Sequence, residues 1–320
     1  MKSAVRRLAL LLLLICLLSG CSSSPPETLL REDQEPSRLI SANTQGLSAH
    51  EPMAALYFRY GNTGYLAPEM QALSVQRDET LEEVLIEALL KGPEATHSFL
   101  SPLFPPDVEI LALTAQGDTL FVTFNEALLG KYSDEASISA GEAALRRRLC
   151  LDSLSATLTE AGLCARVQVL VYQENHQSTS LRLKSGFLDR TPEGDMLPPL
   201  TRNEETLLTP HNAASALLSA WMRQDWPLLY AFIARENETD QRPDEQAAFA
   251  AFSAAHALTG FTLSHGDVSQ DGQSALLSAD IALRSDGADL ALSGYPLRLT
   301  REEGLWKISY SRLMALMNQN

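Results

Sequence analysis

Hydrophobic and polar positions change their period several times along this chain. Residues 8–18 are an unbroken apolar run, residues 22–52 show little apolar periodicity, and ordered patterning begins at Ala54. Leu56, Phe58 and Tyr60 alternate with other residues as in a strand, and Gly61-Asn62-Thr63-Gly64 reads as a turn. Thr80 and Glu83 form a T-x-x-E capping box. Behind it Leu81, Val84, Leu85, Ala88 and Leu89 make one helical stripe, which Gly92-Pro93 stops. Strands are predicted at residues 108–114 and 119–124, joined by a hairpin at Gln116-Gly117-Asp118. A long helix over about 137–161 carries Leu151, Leu154, Leu158 and Ala161 on one face, and Val167, Val169 and Val171 make a closing strand. The succession predicts an α+β unit with its helices on one sheet.

Pro192, Gly194, Pro198, Pro199 and Pro210 punctuate the next stretch, which reads as a closing loop and a linker over 191–210. Helical spacing returns from His211, where Ala214, Leu217, Leu218 and Trp221 share a stripe. Asp225-Trp226-Pro227 opens a second helix, with Leu229, Phe232 and Ile233 facing inward. A third is expected over about 243–258, with Phe249, Phe252 and His256 on one side. The period then falls to two, predicting strands at 261–268, 274–283, 290–299 and 305–310. Three helices followed by an antiparallel curved sheet is a second α+β arrangement.

The amino terminus adds a location. Lys2, Arg6 and Arg7 precede the apolar run, and Leu18-Ser19-Gly20-Cys21 follows it, which is the layout of a secretory signal. At roughly 1.5 Å per residue the run reaches about 16 Å, too short for a bilayer core of roughly 30 Å. Leu18-Ser19-Gly20-Cys21 resembles the lipobox of bacterial lipoproteins. That resemblance implies removal of residues 1–20 as a signal peptide and a diacylglyceryl group on Cys21, holding the protein at the extracytoplasmic face of the cell membrane. Two acyl chains meet the requirement for stable anchoring. Residues 21–52, rich in Ser, Pro, Glu and Gln, then read as a disordered tether.

Charge and cysteine usage narrow the possibilities. The net charge is −15 for the whole chain and becomes −18 once the three cations of the signal are removed. This disfavours nucleic acid as a partner, which needs a basic footprint. Cys16 leaves with the signal and Cys21 takes lipid, so Cys150 and Cys164 remain. The first is placed mid-helix and the second past the helix end, a separation that favours two free thiols over a disulfide.

Leu66-Ala67-Pro68-Glu69, Leu89-Leu90-Lys91-Gly92-Pro93 and Phe104-Pro105-Pro106-Asp107-Val108 occur in order. Leu120-Phe121-Val122-Thr123-Phe124, Ser153-Leu154-Ser155-Ala156-Thr157-Leu158-Thr159-Glu160 and Val167-Gln168-Val169-Leu170-Val171 continue the series. The set resembles the GerMN domain of spore-germination and sporulation lipoproteins, over roughly residues 53–190. One departure is the end of the last strand, where Gln173-Glu174-Asn175-His176 replaces the usual Asp-Gly turn. Residues 211–320, with Asp225-Trp226 early and Gly304-Leu305-Trp306-Lys307-Ile308 late, resemble the NTF2-like fold, often a cone with a pocket. The first resemblance implies a non-enzymatic module outside the membrane and carries no catalytic residues to transfer.

Motif chemistry is sparse. No His-Glu-x-x-His, Cys-x-x-Cys, phosphate loop or Gly-x-Ser-x-Gly pattern occurs, so no cofactor, metal or catalytic residue is assigned. His265 and Asp267 share a strand face as an acid-base candidate, with a surface pair the plainer reading. Trp221, Trp226 and Trp306 are candidate pocket residues, with a core role as the alternative. Arg146, Arg147 and Arg148 form a local basic patch and a candidate partner contact, with a solvated helix face as the alternative. The expected protein is a membrane-anchored, non-catalytic factor that binds other cell-envelope or sporulation proteins in spore formation or germination. A ligand-binding sensor or carrier using the pocket of residues 211–320 is the alternative, and an enzyme in that pocket the third reading.

Overall fold

The computed structural model describes residues 52–173, 179–237, 240–264, 266–285 and 288–319. Cys21, the signal, all but the last residue of the tether, and His265 lie outside the described residues. The unit Ser48–Asn320 is compact, and its architecture is α+β, as its sequence patterning predicts.

Strand β1 (Met53–Tyr60) pairs antiparallel with β2 (Leu66–Ala72), and β3 (Leu100–Ser101) adds to the end of β1. Helix α1 (Leu81–Lys91) starts at the Thr80–Glu83 capping box, both of whose bonds are present, and ends at Gly92, whose φ of 90° suits glycine. Strands β4 (Ile110–Gln116) and β5 (Thr119–Phe124) form the expected hairpin. Helix α2 (Ala140–Glu160), capped by Ser139, carries the chain back to β6 (Arg166–Gln173), which lies parallel to β5. Strand β7 (Thr179–Arg182) closes the sheet, and a single helical turn (Gly186–Asp189) follows.

The expectation of one sheet is corrected here. The strands form a three-stranded sheet β2-β1-β3 and a four-stranded sheet β4-β5-β6-β7. One apolar core, including Leu56, Phe58, Leu85, Val122, Leu154 and Val169, holds the two together. Helix α2 separates the sheets because Leu149, Leu151, Leu154 and Leu158 are all buried, together with Ser153, Ser155 and Thr157. Such an all-round buried middle turn has faces for two sheets.

Residues 191–210, expected to be a linker, lie along strand edges. Leu200 exchanges backbone hydrogen bonds with Val167, at 2.9 and 2.7 Å, and Leu197 donates to the Leu183 carbonyl at 2.8 Å. Leu66 donates to Thr206, and Leu208 donates to Leu66.

Helix α3 (Pro210–Met222) begins at Thr209, and α4 (Trp226–Ala231) begins at Asp225, whose side chain accepts from the Leu228 N–H. A short ribbon, β8 (Glu236–Asn237) with β9 (Asp240–Gln241), precedes α5 (Glu245–Ala254). Helix α5 stops short of residue 258, so His256 is in the connection beyond it and not on a helix face. The predicted strand at 261–268 divides into β10 (Ala257–Leu263) and β11 (Asp267–Val268). Gly266 sits between them, where any Cβ would lie 2.3 Å from the Leu276 carbonyl oxygen. Long strands β12 (Ser274–Ser285) and β13 (Ala288–Glu302) pair antiparallel, and the sheet order is β10-β12-β13-β14. Register shifts at Leu258/Gly260 and Ala279/Ile281 bend the sheet, as bulges do. Strand β14 (Leu305–Lys307) is shorter than predicted, and Tyr310 begins helix α6 (Tyr310–Met317). That helix buries Leu313, Leu316 and Met317 in the second core.

Tyr60 and Ala67, from the first pair of strands, also belong to this second core. The Tyr60 hydroxyl donates to the Ala231 carbonyl at 3.1 Å, and its ring lies 5.1 Å from that of Phe232.

Candidate functional site

The arginine triplet is the densest charged feature. Helical spacing of 100° per residue sends three consecutive side chains in three directions, and the structure gives them three fates. Arg146 reaches both carboxylate oxygens of Asp134, at 2.7 and 2.8 Å, and Glu142 at 3.1 Å. Arg147 is buried; it pairs with Glu135 and donates to the Leu188 carbonyl at 3.2 Å. Arg148 is exposed. The triplet is therefore not one basic patch: two of its guanidinium groups are bound within the fold.

Arg59 extends the network from β1. It is buried, pairs with both oxygens of Glu142, and donates to the Thr63 carbonyl at 2.8 Å. Arg190 approaches Glu135 at 3.8 Å and donates to the Gly130 carbonyl at 2.9 Å. The ring of Tyr132 takes both Arg146 and Arg147, with guanidinium carbons 5.8 and 5.7 Å from its centroid. Its buried hydroxyl has no hydrogen-bond partner among the described residues. Burial raises the carboxyl groups of Glu142 and Glu135, but hydrogen bonds and charge from Arg59, Arg146 and Arg147 outweigh it and hold both below the ordinary range. Burial pushes the Tyr132 phenol up. Four guanidinium groups and three carboxylates thus clamp β1, the 130–139 loop and the turn at 186–190 onto α2. The chemistry is structural: fixed charge pairs with no nucleophile among them.

Trp221 and Trp226 border one hollow, and Trp306 does not join them. Trp221 is buried, donates from its indole Nε1 to the His256 carbonyl at 3.1 Å, and borders a hollow of about 40 Å³ with Trp226, Phe252 and His256. That is room for a water or two, since one water needs at least roughly 10–15 Å³. Trp306 is buried on β14, with the Arg301 guanidinium 5.8 Å from its ring. The concave face of the curved sheet is filled by Leu277, Ile281, Leu297 and Leu299 against the helices. Asp267 is exposed on β11, and its candidate partner lies outside the described residues. Cys150 is buried and Cys164 half-buried, and the two are not bonded to each other.

One buried pair was missed by sequence reasoning. The Glu69 carboxylate on β2 is fully buried, lies 2.5 Å from His97 Nδ1, and accepts the Glu94 backbone N–H at 3.0 Å and the Gln71 amide. It pins the loop that delivers Phe99 to the ring of Tyr60, at 6.3 Å. The only sequence signal was an acidic residue in a strand-like stretch, and its partner is 28 residues away.

Comparison with known proteins gives three findings. Residues 55–176 match the family model Germane, described as sporulation and spore germination. Among solved structures, the tandem GerMN domains of the sporulation protein GerM from Bacillus subtilis align at 20% identity and a TM-score of 0.32. The alignment covers 50% of this chain and 49% of that one, so the chain spans about half the length of that structure. A "Putative Lipoprotein from Clostridium perfringens" aligns at 22% identity and a TM-score of 0.28, over 49% of this chain and 93% of that one. No curated protein matches the chain.

Proposed function

We propose that the protein, whose residues 55–176 match the Germane family model of sporulation and spore germination, is a lipid-anchored, non-catalytic binding factor of the cell envelope. It acts in spore formation or germination, held at the extracytoplasmic face of the membrane through Cys21. The family match carries the process, and Leu18-Ser19-Gly20-Cys21 carries the location. For residues 211–320 we propose an NTF2-like domain whose packed interior serves as scaffold. The hollow beside Trp221, about 40 Å³, has room for a water or two, so Trp221 and Trp226 serve the packed interior there.

Deletion of the gene in its host, complemented with wild type or Cys21→Ala, tests both parts. Wild type restores heat-resistant spores or their germination, while Cys21→Ala fractionates away from the membrane and restores neither. Normal spore yield and germination in the deletion strain would refute the process. Membrane retention of Cys21→Ala with an unmodified wild-type terminus would refute the anchor.

A further inference from the structure

Several outer strands in this fold have no backbone partner beyond their own sheet among the described residues, and they differ in what blunts the open edge. An open edge offers unpaired N–H and C=O groups to any passing strand, and proteins blunt it with charges, proline, bulges or a covering segment. Along β1, the backbone of Tyr57 is taken by side chains of α2: its N–H goes to Thr157 at 3.1 Å and its carbonyl to Ser153 at 2.5 Å. Past β7, the β6 edge continues into the Val167–Leu200 bridge. The β2 edge receives residues 206–208 at Leu66, and β14 runs into a parallel bridge between Ile233 and Ile308.

Strand β4 stands apart from them by sequence, since β7 ends in Arg182, β10 holds Gly260 and β13 carries Pro296 and Arg298. It is the outer strand of its sheet, and among the described residues its backbone makes ladder bonds to β5 alone. Its sequence, ILALTAQ, holds no charge, proline or glycine, and five of its seven residues are exposed. Leu111 is 49% exposed. The register shift between Ile110 and Ala112 is confined to the first end, and 112–116 pair regularly with β5. Closure of the hairpin at Gln116 and Thr119 turns Gln116, Thr114 and Ala112 toward β5, so Leu113 and Ala115 direct their backbone groups outward.

We propose that β4 pairs antiparallel with β4 of a second copy, about a two-fold axis at Leu113. This joins the two four-stranded sheets into one. The strand is its own complement in that register. Leu113 faces Leu113 and Ala112 faces Thr114, with Ala115 beside the bulged Leu111, so every contact is neutral in a chain with a net charge of −15. The acidic residues that bracket it, Glu109 and Asp118, fall outside the paired stretch, and Asp118 is already joined to Arg166 at 2.5 Å. A two-fold contact uses the β4 edge of both copies at once, which distinguishes a dimer from open aggregation through that edge.

Sedimentation velocity on the compact unit Ser48–Asn320, from about 10 µM to about 1 mM to capture a small interface, gives a monomer–dimer equilibrium. Leu111→Lys places a charge on the seam. Ala115→Pro removes an outward N–H while the bonds to β5 remain. Both variants give monomer at all concentrations with unchanged circular dichroism. Under mild oxidation, Ala112→Cys mixed with Thr114→Cys forms the mixed disulfide, because facing non-hydrogen-bonded residues are about 4.5 Å apart at Cα. A wild type that stays monomeric at about 1 mM, a dimer that survives either edge variant, or failure of the mixed disulfide overturns the proposal.

Discussion

Thr157, in the middle of helix α2, accepts the backbone N–H of Tyr57 at 3.1 Å across 100 residues of chain. One turn earlier on the same face, Ser153 donates to the Tyr57 carbonyl at 2.5 Å. Both hydroxyl residues and Tyr57 are buried. A strand edge packed against a helix would leave its polar backbone groups without water, and buried unpaired groups are costly. The two hydroxyls let α2 cover β1 without that cost.

Removing either hydroxyl therefore exposes a backbone group to an apolar contact. Thr157→Val, nearly isosteric, is expected to lower unfolding free energy by about 1–3 kcal/mol, and Ser153→Ala by a similar amount. Thr157→Ser retains the bond and loses less. Urea denaturation followed by circular dichroism measures all three, and a Thr157→Val variant as stable as wild type would contradict the assignment.

Consecutive arginines should respond very differently to truncation. Arg147→Ala leaves Glu135 only the more distant Arg190, at 3.8 Å, in a site where the Arg147 and Glu135 side chains are 4% and 13% exposed, and is expected to cost up to about 3–5 kcal/mol. Arg148→Ala, on the solvent side, is expected to stay within about 0.5 kcal/mol of wild type. Thermal unfolding of the two variants side by side separates these outcomes.

Acid should loosen the same cluster. Arg59 and Arg146 hold the Glu142 carboxyl below its ordinary range against the upward push of burial. The fold then binds fewer protons there than the unfolded chain, so this stabilisation is complete above the ordinary glutamate value of about 4.3 and fades as pH falls through the folded value. Urea midpoints taken from pH 7 to pH 3 decline for wild type. The decline is shallower for Glu142→Gln, which is already weakened at pH 7; identical slopes would refute the linkage.

Both thiols of the compact unit are expected to resist alkylation. Burial pushes the Cys150 thiol far up, and burial also raises Cys164, to about 11. Only the thiolate reacts, so at pH 8 about one Cys164 in a thousand is reactive at any moment. Mass spectrometry after iodoacetamide treatment shows no adduct on native protein and two adducts after unfolding in urea.

Local signals were legible because they act within a turn or two. Thr80 and Glu83 fix the start of α1, Asp225 fixes the start of α4, and Gly117 at φ 61° closes the β4–β5 hairpin. Each works through bonds or backbone angles among residues three or four apart. Helix α6 was also legible in principle, since Leu313, Leu316 and Met317 follow helical spacing, but the apolar stretch ahead of it read as continuing strand.

The chain alone thus determined the α+β order of elements and the match of residues 55–176 to a family model, both of which depend on neighbours in sequence. Tertiary structure decided the division into two sheets, the separate fates of Arg146, Arg147 and Arg148, and the pairing of Glu69 with His97. These depend on groups that meet only after the chain has folded back over 12 to 100 residues. A serine or threonine inside a helix carries no sign of whether it will face water or the bare edge of a strand. Only packing supplies the partner that makes Ser153 and Thr157 structural.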